Sequence, residues 1–263
     1  MPSSDQPARP AEIVTIPCRA DNYAFLLHDP ESGATACIDV PDAAPIEAAL
    51  AERGWRLSDI LITHHHDDHV SGVDRLRAAT GAKVCGAEAD AHRLPALDMA
   101  LAPGDVLRVG RLEGEVIAVP GHTLGHVAFH FPAARAVFTA DSLMALGCGR
   151  LFEGTAAQMW ESLSRLAALP PETLVCSGHE YTAANARFAL TIEPENPALR
   201  ARAARIEAAR EAGRPTVPSG LAEELKTNPF LRAGLPEVKE RLAMKRASDA
   251  EVFAEIRRRK DAF

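Results

Sequence analysis

A chain of 263 residues with 47% apolar and 25% charged side chains is long enough for one large domain, or one domain and a small appendage, around a substantial core. Its formal charge of −7 argues against a nucleic-acid surface, which wants a basic face, and no apolar run approaches the length that spans a bilayer. Five scattered cysteines (Cys18, Cys37, Cys85, Cys148 and Cys176), odd in number and without C-x-x-C spacing, speak against a disulfide framework and for a reducing compartment.

The first ten residues are rich in Pro and Ser and read as loose; no basic region followed by an apolar stretch marks them for export, so the expected location is the cytoplasm. Short β-type runs follow at 13–16, 23–27 and 36–40, then a helical stretch over 45–53. The apolar run Ile60-Leu61-Ile62 ends in Thr63 and then in His64-His65-His66-Asp67-Asp68-His69. Beyond it the pattern predicts a helix over 72–79 and strands at 83–85, 106–109, 115–119, 127–131 and 137–139. A helix over 155–168 stops at Pro170-Pro171, and 173–176 is the last strand expected. From Tyr181 the texture changes to Ala-, Glu-, Arg- and Leu-rich segments broken by Pro and Gly. The expected organisation is therefore a β-rich α/β part over 1–182 and an all-helical tail over 183–263.

The histidine cluster carries the chemistry. Three imidazoles and two carboxylates within six positions after a buried strand suit zinc, iron or manganese, and no cysteine pair nearby competes for a structural zinc role. His64 and His66 can face one side of the loop while Asp68 and His69 reach another, which leaves room for two ions. A tag-like tract would sit at a terminus and would not cap an apolar strand. Further donors follow three later strands: His122 in Pro120-Gly121-His122-Thr123, Asp141 in Thr139-Ala140-Asp141-Ser142, and His179 in Ser177-Gly178-His179-Glu180. A lone histidine after a strand is more often a satisfied core or surface residue; three such donors beside this cluster reverse that reading. Asp39, at a strand end, is the candidate partner that orients a ligand imidazole, and His65 and Asp67 fall at the in-between positions.

With these residues in view, the H-x-H-x-D-H loop, the later His, the Asp after a strand and the final Gly-His resemble the metallo-β-lactamase superfamily. More narrowly, the chain is similar to the hydroxyacylglutathione hydrolases (glyoxalase II). The segments that carry this are Asp21-Asn22-Tyr23, Gly147-Cys148-Gly149-Arg150-Leu151-Phe152-Glu153-Gly154-Thr155, Gly178-His179-Glu180-Tyr181-Thr182, Asn228-Pro229-Phe230 and Arg257-Arg258-Arg259-Lys260-Asp261, which span nearly the whole length. The resemblance implies an α/β (α+β) fold, a four-layer αββα sandwich followed by a helical glutathione-binding domain. It implies one metal on His64, His66 and His122, a second on Asp68, His69 and His179, and Asp141 bridging both. Asp68 and Asp141 are thereby the expected catalytic residues, with a hydroxide held by the two metals as the nucleophile.

The same resemblance implies two divalent ions, zinc before iron or manganese, and a monomer hydrolysing S-(2-hydroxyacyl)glutathione, S-D-lactoylglutathione above all. Arg150, Phe152, Tyr181, Arg257 and Lys260 would contact the substrate. Phe152 departs from a common tyrosine and loses a hydroxyl that bonds the glycine end of glutathione. Arg150 replaces a common lysine, keeping the charge in a different geometry. The alternative within the fold is a glutathione persulfide dioxygenase with one iron, against which the complete second ligand set weighs. No nucleic-acid or membrane partner is expected.

Overall fold

The first strand, β1 (Glu12–Cys18), pairs antiparallel with β2 (Asn22–His28), and every residue of β2 is buried. Its side chains serve two cores in alternation: Tyr23, Phe25 and Leu27 join one, Ala24 and Leu26 the other. A strand buried on both faces lies inside a layered molecule. The computed structural model describes residues 9–263, so the loose N-terminal segment expected from the sequence lies, as far as residue 8, outside the described residues.

The first sheet continues with β3 (Ala34–Ile38), followed by α1 (Ala43–Arg53), β4 (Arg56–Ile62), α2 (Asp67–Val70), α3 (Val73–Thr80), β5 (Lys83–Ala87) and β6 (Met99–Leu101). Its order is β1-β2-β3-β4-β5-β6, and β3 to β6 run parallel. Parallel neighbours need crossovers, and α1 and α3 supply those from β3 to β4 and from β4 to β5 over one face. Ile46, Leu50, Val73 and Leu76 of these helices pack on Leu26, Ile60, Ile62 and Val84.

The second sheet begins with the meander β7 (Val106–Val109), β8 (Leu112–Ala118), β9 (Val127–Phe131) and β10 (Ala136–Ala140). A hairpin of β11 (Leu143–Met144) and β12 (Gly147–Cys148) precedes α4 (Ala156–Ala167), and β13 (Leu174–Ser177) returns parallel to β10. Thr155 and Gln158 close a capping box that starts α4. The sheets meet through Phe25, Leu61, Val116, Phe129 and Phe138, with the Phe25 and Phe138 rings edge to face at 5.7 Å. Helices on the outer face of each sheet complete the αββα order.

The tail comprises α5 (Thr182–Ile192), α6 (Pro197–Glu211), β14 (Ser219–Gly220), α7 (Leu221–Thr227), α8 (Pro236–Arg241) and α9 (Asp249–Asp261). It shares a core with α4: Met159, Leu163 and Leu166 pack with Phe188, Phe230, Val252, Phe253 and Ile256. Three features depart from the sequence reading. The tail is not wholly helical, because β14 adds an edge strand to β13. The short strands β6, β11 and β12 have two or three residues each, too few for any periodicity to show. The histidine loop turns into one helical turn at α2, whose first turn carries Asp67 and Asp68, the charge a helix N-terminus favours.

Polar ties fasten the tail to the β11–β12 hairpin. The Glu224 carboxylate, fully buried, accepts from Leu146 N at 2.8 Å and pairs with the buried Arg202. Asn228 Nδ2 donates to the carbonyls of Met144 and Gly147 at 3.1 and 3.0 Å. Removing one partner of a buried pair strands the other, so Glu224→Ala is expected to cost about 3–5 kcal/mol in urea unfolding. A loss below about 1 kcal/mol would show that Arg202 finds water instead.

Candidate metal centre

The carboxyl ends of five strands open on one rim, the usual place for a site in such sheets. Asp39 follows β3, Thr63 and His64 follow β4, His122 lies four residues past β8, Asp141 follows β10 and His179 lies two past β13. Two backbones turn sharply there: Asp39 (φ +56°) and Ala140 (φ +41°) lie in the left-handed region. Strain at such positions is kept only where the surroundings hold it. Close approach also demands glycine. A Cβ on Gly178 would stand 2.7 Å from His69 Cε1 and 2.8 Å from Asp141 Oδ1.

Three nitrogens converge first: His66 Nδ1 lies 3.1 Å from His64 Nε2 and 3.0 Å from His122 Nε2. The opposite nitrogens settle the tautomers. His122 Nδ1 faces the Arg150 carbonyl at 2.8 Å and so must carry the proton. Thr63 Oγ1 donates to Asp39 Oδ2 at 2.8 Å, which leaves its lone pair for His64 Nδ1–H at 3.0 Å. Nε2 of both rings therefore presents a lone pair to the same point. Those two lone pairs and His66 Nδ1 lie within 4.8 Å of one another, close enough to ligate one cation.

A second set lies alongside. His69 Nδ1 donates to Asp39 Oδ2 at 2.8 Å and His179 Nδ1 to Asp21 Oδ1 at 3.0 Å, which again leaves Nε2 bare on each ring. Asp68 Oδ2 stands 3.4 Å from His179 Nε2 and is held by Asn22 Nδ2 at 3.0 Å. Asp141 reaches both sets, with Oδ1 at 3.4 and 3.3 Å from His69 and His179 Nε2 and Oδ2 at 3.4 Å from His122 Nε2. His69 Nε2 and Asp141 Oδ1 are fully buried without a hydrogen-bond partner. Orphaned donors and acceptors of this kind fit a divalent cation, with neutral imidazoles and carboxylates as its natural ligands. Asp39 also lies within ligating distance of His64 and His69, but its oxygens are spent on Thr63 N, Thr63 Oγ1 and His69 Nδ1.

Charge follows the same division. Burial drives the His64 imidazole well below its ordinary pKa and keeps it neutral. At His69 burial opposes charge, but the carboxylates of Asp141 and Asp39 outweigh it and hold the pKa well above the usual value.

The cluster forms one end of a cavity of about 860 Å³. Arg150, Phe152, Tyr181, Arg257 and Lys260 line its other walls. Tyr181 stacks on His179 at 4.7 Å, and Phe152, 64% exposed, stands edge-on to His66 and His122 at 5.5 and 5.3 Å. Arg257 is buried and committed: it donates to the Cys148 carbonyl at 3.0 Å, pairs with Asp261 and covers the Phe230 ring. The in-between residues turn away, His65 to Asp90 at 3.2 Å and Asp67 to Arg19 at 3.0 Å. Sequence reasoning quoted Asp21, Asn22 and Thr63, the first two in a segment that carries the family resemblance, without assigning them the supporting role they have here. It also passed over His126, which stacks on His64 at 4.6 Å and which burial brings down to about 3.

Residues 38–179 match the family model described as metallo-beta-lactamase superfamily, and residues 180–263 match the one described as hydroxyacylglutathione hydrolase C-terminus. A hydroxyacylglutathione hydrolase of Jannaschia sp. (strain CCS1) is 71% identical over 252 residues, 96% of this chain and 98% of that protein. Among solved structures, ETHE1 from Myxococcus xanthus superposes with a TM-score of 0.63 at 25% identity, over 96% of this chain and 98% of its own. TTHA1623, solved in a di-iron-bound form, does so with a TM-score of 0.54 at 29% identity, over 62% of this chain and 90% of its own.

Asp39→Asn keeps the shape and tolerates the left-handed backbone but removes the charge behind His69. Chelator competition is expected to show metal affinity about 10–100-fold weaker. Unchanged affinity would mean that Asp39 does not orient His69. Asp141→Ala is expected to lose metal by elemental analysis; two ions retained per chain would contradict a bridging carboxylate.

Proposed function

Because the chain belongs to the hydroxyacylglutathione hydrolases of the metallo-β-lactamase superfamily, we propose that it hydrolyses S-(2-hydroxyacyl)glutathione, chiefly S-D-lactoylglutathione, to glutathione and the 2-hydroxy acid. That reaction is the second step of methylglyoxal detoxification. The observation that carries the reading is the polarity of the cavity. Donors for metal gather in one part of its lining, and two cations with no carboxylate partner among the described residues, Arg150 and Lys260, share the cavity with them. A glutathione thioester presents the matching chemistry, a carbonyl to be polarised and carboxylates to be bound.

In this reading His64, His66 and His122 hold one divalent ion, Asp68, His69 and His179 hold the second, and Asp141 spans them. Zinc is the first candidate for both, with iron and manganese accepted by the same donors. When bound, the ions supply a Lewis acid and a water acidic enough to act near neutral pH.

The chain's own residues do the rest. Asp39, Asp21, Thr63 and the Arg150 carbonyl hold each ligand ring in one tautomer, so no reorientation is needed during turnover. Tyr181 and Phe152 wall the cavity beside the donors and restrict where the thioester can lie. Lys260 and Arg150 bind carboxylate far from the reacting carbon. Arg257, tied to Cys148 and Asp261, anchors α9 against β12 and so keeps Lys260 in reach of the cavity. Hydrolysis breaks the C–S bond, and a thiol of ordinary pKa, about 8.5, departs as thiolate with little need of an acid.

The location that fits this chemistry is the cytoplasm. All five cysteines are free and buried, and no described helix is long and apolar enough to cross a membrane.

Metal-loaded protein is expected to consume the thioester absorbance of S-D-lactoylglutathione; full metal content without turnover would overturn the reading. Oxygen uptake with glutathione persulfide would point to the dioxygenase instead. Lys260→Ala is expected to raise KM about tenfold with kcat little changed. Burial, followed by repulsion from Arg257, Arg187 and Arg150, brings the Lys260 pKa down to about 8. The ammonium is therefore present below that pH, and KM is expected to climb as pH rises through it. A KM flat across that range in the wild type, or an equal climb in Lys260→Ala, would remove Lys260 from carboxylate binding.

A further inference from the structure

Arg187 lies on α5 and lines the same cavity as the metal donors, six residues beyond the Tyr181 that stacks on His179. One helical turn before it, the Ala184 carbonyl accepts from Lys260 Nζ at 3.3 Å, so Arg187 and that carbonyl share a helix face. Arg187 is exposed, and among the described residues its guanidinium has neither a carboxylate nor a hydrogen-bond partner. Arg150 and Lys260 stand in the same wall without carboxylate partners, while Arg257 is neutralised by Asp261. The acids that line the cavity, Asp67, Asp68 and Asp141, all lie at the metal end. Three unpaired cations facing one cavity repel each other, and an anionic ligand offsets that cost.

Glutathione presents two carboxylates in different company. The glycine end carries a carboxylate alone. The γ-glutamyl end carries a carboxylate and an ammonium on the same carbon. Half-buried Lys260, set against the Phe188 and Phe263 rings, suits the first. Of the cations lining the cavity only Arg187 also borders a second groove, of about 800 Å³ between α5 and α6, which Glu195, Glu207 and Glu211 line together with Arg200 and with Arg210, the latter paired to Glu180. A cation next to acids matches a zwitterion and offers nothing extra to a lone carboxylate.

We propose that Arg187 binds the α-carboxylate of the γ-glutamyl residue, with the ammonium turned toward the acids of the α5–α6 groove. The proposal rests on the glutathione thioesterase reading and adds to it the residue and the direction of the γ-glutamyl arm. It makes Arg187 a binding residue that distinguishes glutathione from shorter thiols.

Two substrates test it: S-D-lactoylglutathione, and S-D-lactoyl-N-acetylcysteinylglycine, which keeps the glycine carboxylate and lacks the γ-glutamyl zwitterion. Arg187→Ala is expected to raise KM for the first five- to tenfold and for the second less than twofold, with kcat preserved for both. Arg187→Lys is expected to recover most of the loss. Calorimetric titration with S-methylglutathione, read without turnover, is expected to show the same five- to tenfold weakening. An equal rise for both substrates would place Arg187 at the glycine end or make it a general field effect, and no rise would make it a solvated side chain; either overturns the proposal. If the metal-loaded wild type turned over neither substrate, the thioesterase reading would fail first and take the proposal with it. A wild type active on S-D-lactoylglutathione with an indifferent Arg187→Ala would sink the proposal alone.

Discussion

Burying imidazole and carboxylate groups together is costly unless each finds a partner, and the rim where the two sheets end concentrates that cost. His64, His69, His122, His179 and Asp141 are all buried there within a few ångströms of one another. Their outer atoms are satisfied by Asp39, Thr63, Asp21 and the Arg150 carbonyl. Their inner atoms are left facing each other, and only a cation satisfies them. The supports are therefore as necessary as the ligands: without Asp39 or Asp21 a ring is free to flip and present N–H inward, and the cation's place closes.

The same logic explains why the backbone is forced at this rim and relaxed elsewhere. Asp39 leaves β3 in a left-handed conformation so that one carboxylate reaches both Thr63 and His69. β10 breaks register with β13 between Phe138 and Ala140, and Ala140 then turns left-handed to point Asp141 between the two donor sets. A pair of backbone bonds, Tyr23 N to the Gly178 carbonyl and Glu180 N to the Asp21 carbonyl, staples the start of β2 to the end of β13 across the sheets. That staple brings Asp21 to His179 and Asn22 to Asp68.

The tail is part of this construction. Glu224 and Asn228 grip the β11–β12 hairpin, and Arg257 holds the Cys148 carbonyl at its end. The segment following that hairpin carries Arg150, whose carbonyl orients His122 and whose side chain faces the cavity. Substrate wall and metal ligand thus share one stretch of backbone, braced by helices some hundred residues later. Glu180 adds a second tie, accepting from Tyr23 Oη and Thr216 N.

Much of this was legible in one dimension because strand ends and ligand types are local signals. An apolar run followed by His64, His66, Asp68 and His69, and three later donors after strands, need no coordinates to be noticed. Neither does the composition of two layers of alternating strands with helices between. What the sequence could not contain is which lone pair faces which. Arg257 and Lys260 lie three apart in the same basic run, yet one is locked to a backbone carbonyl and an aspartate while the other stands half-buried at the cavity. Asp21, Thr63 and His126 gain their roles only from rings that are distant in the chain or fixed by the fold, and Arg187 gains its place from a groove formed by a neighbouring helix. Residue types along the chain set the chemistry available, because donor identity is covalent. Tertiary packing alone decided tautomer, pairing and exposure, because those depend on contacts that no spacing along the chain encodes.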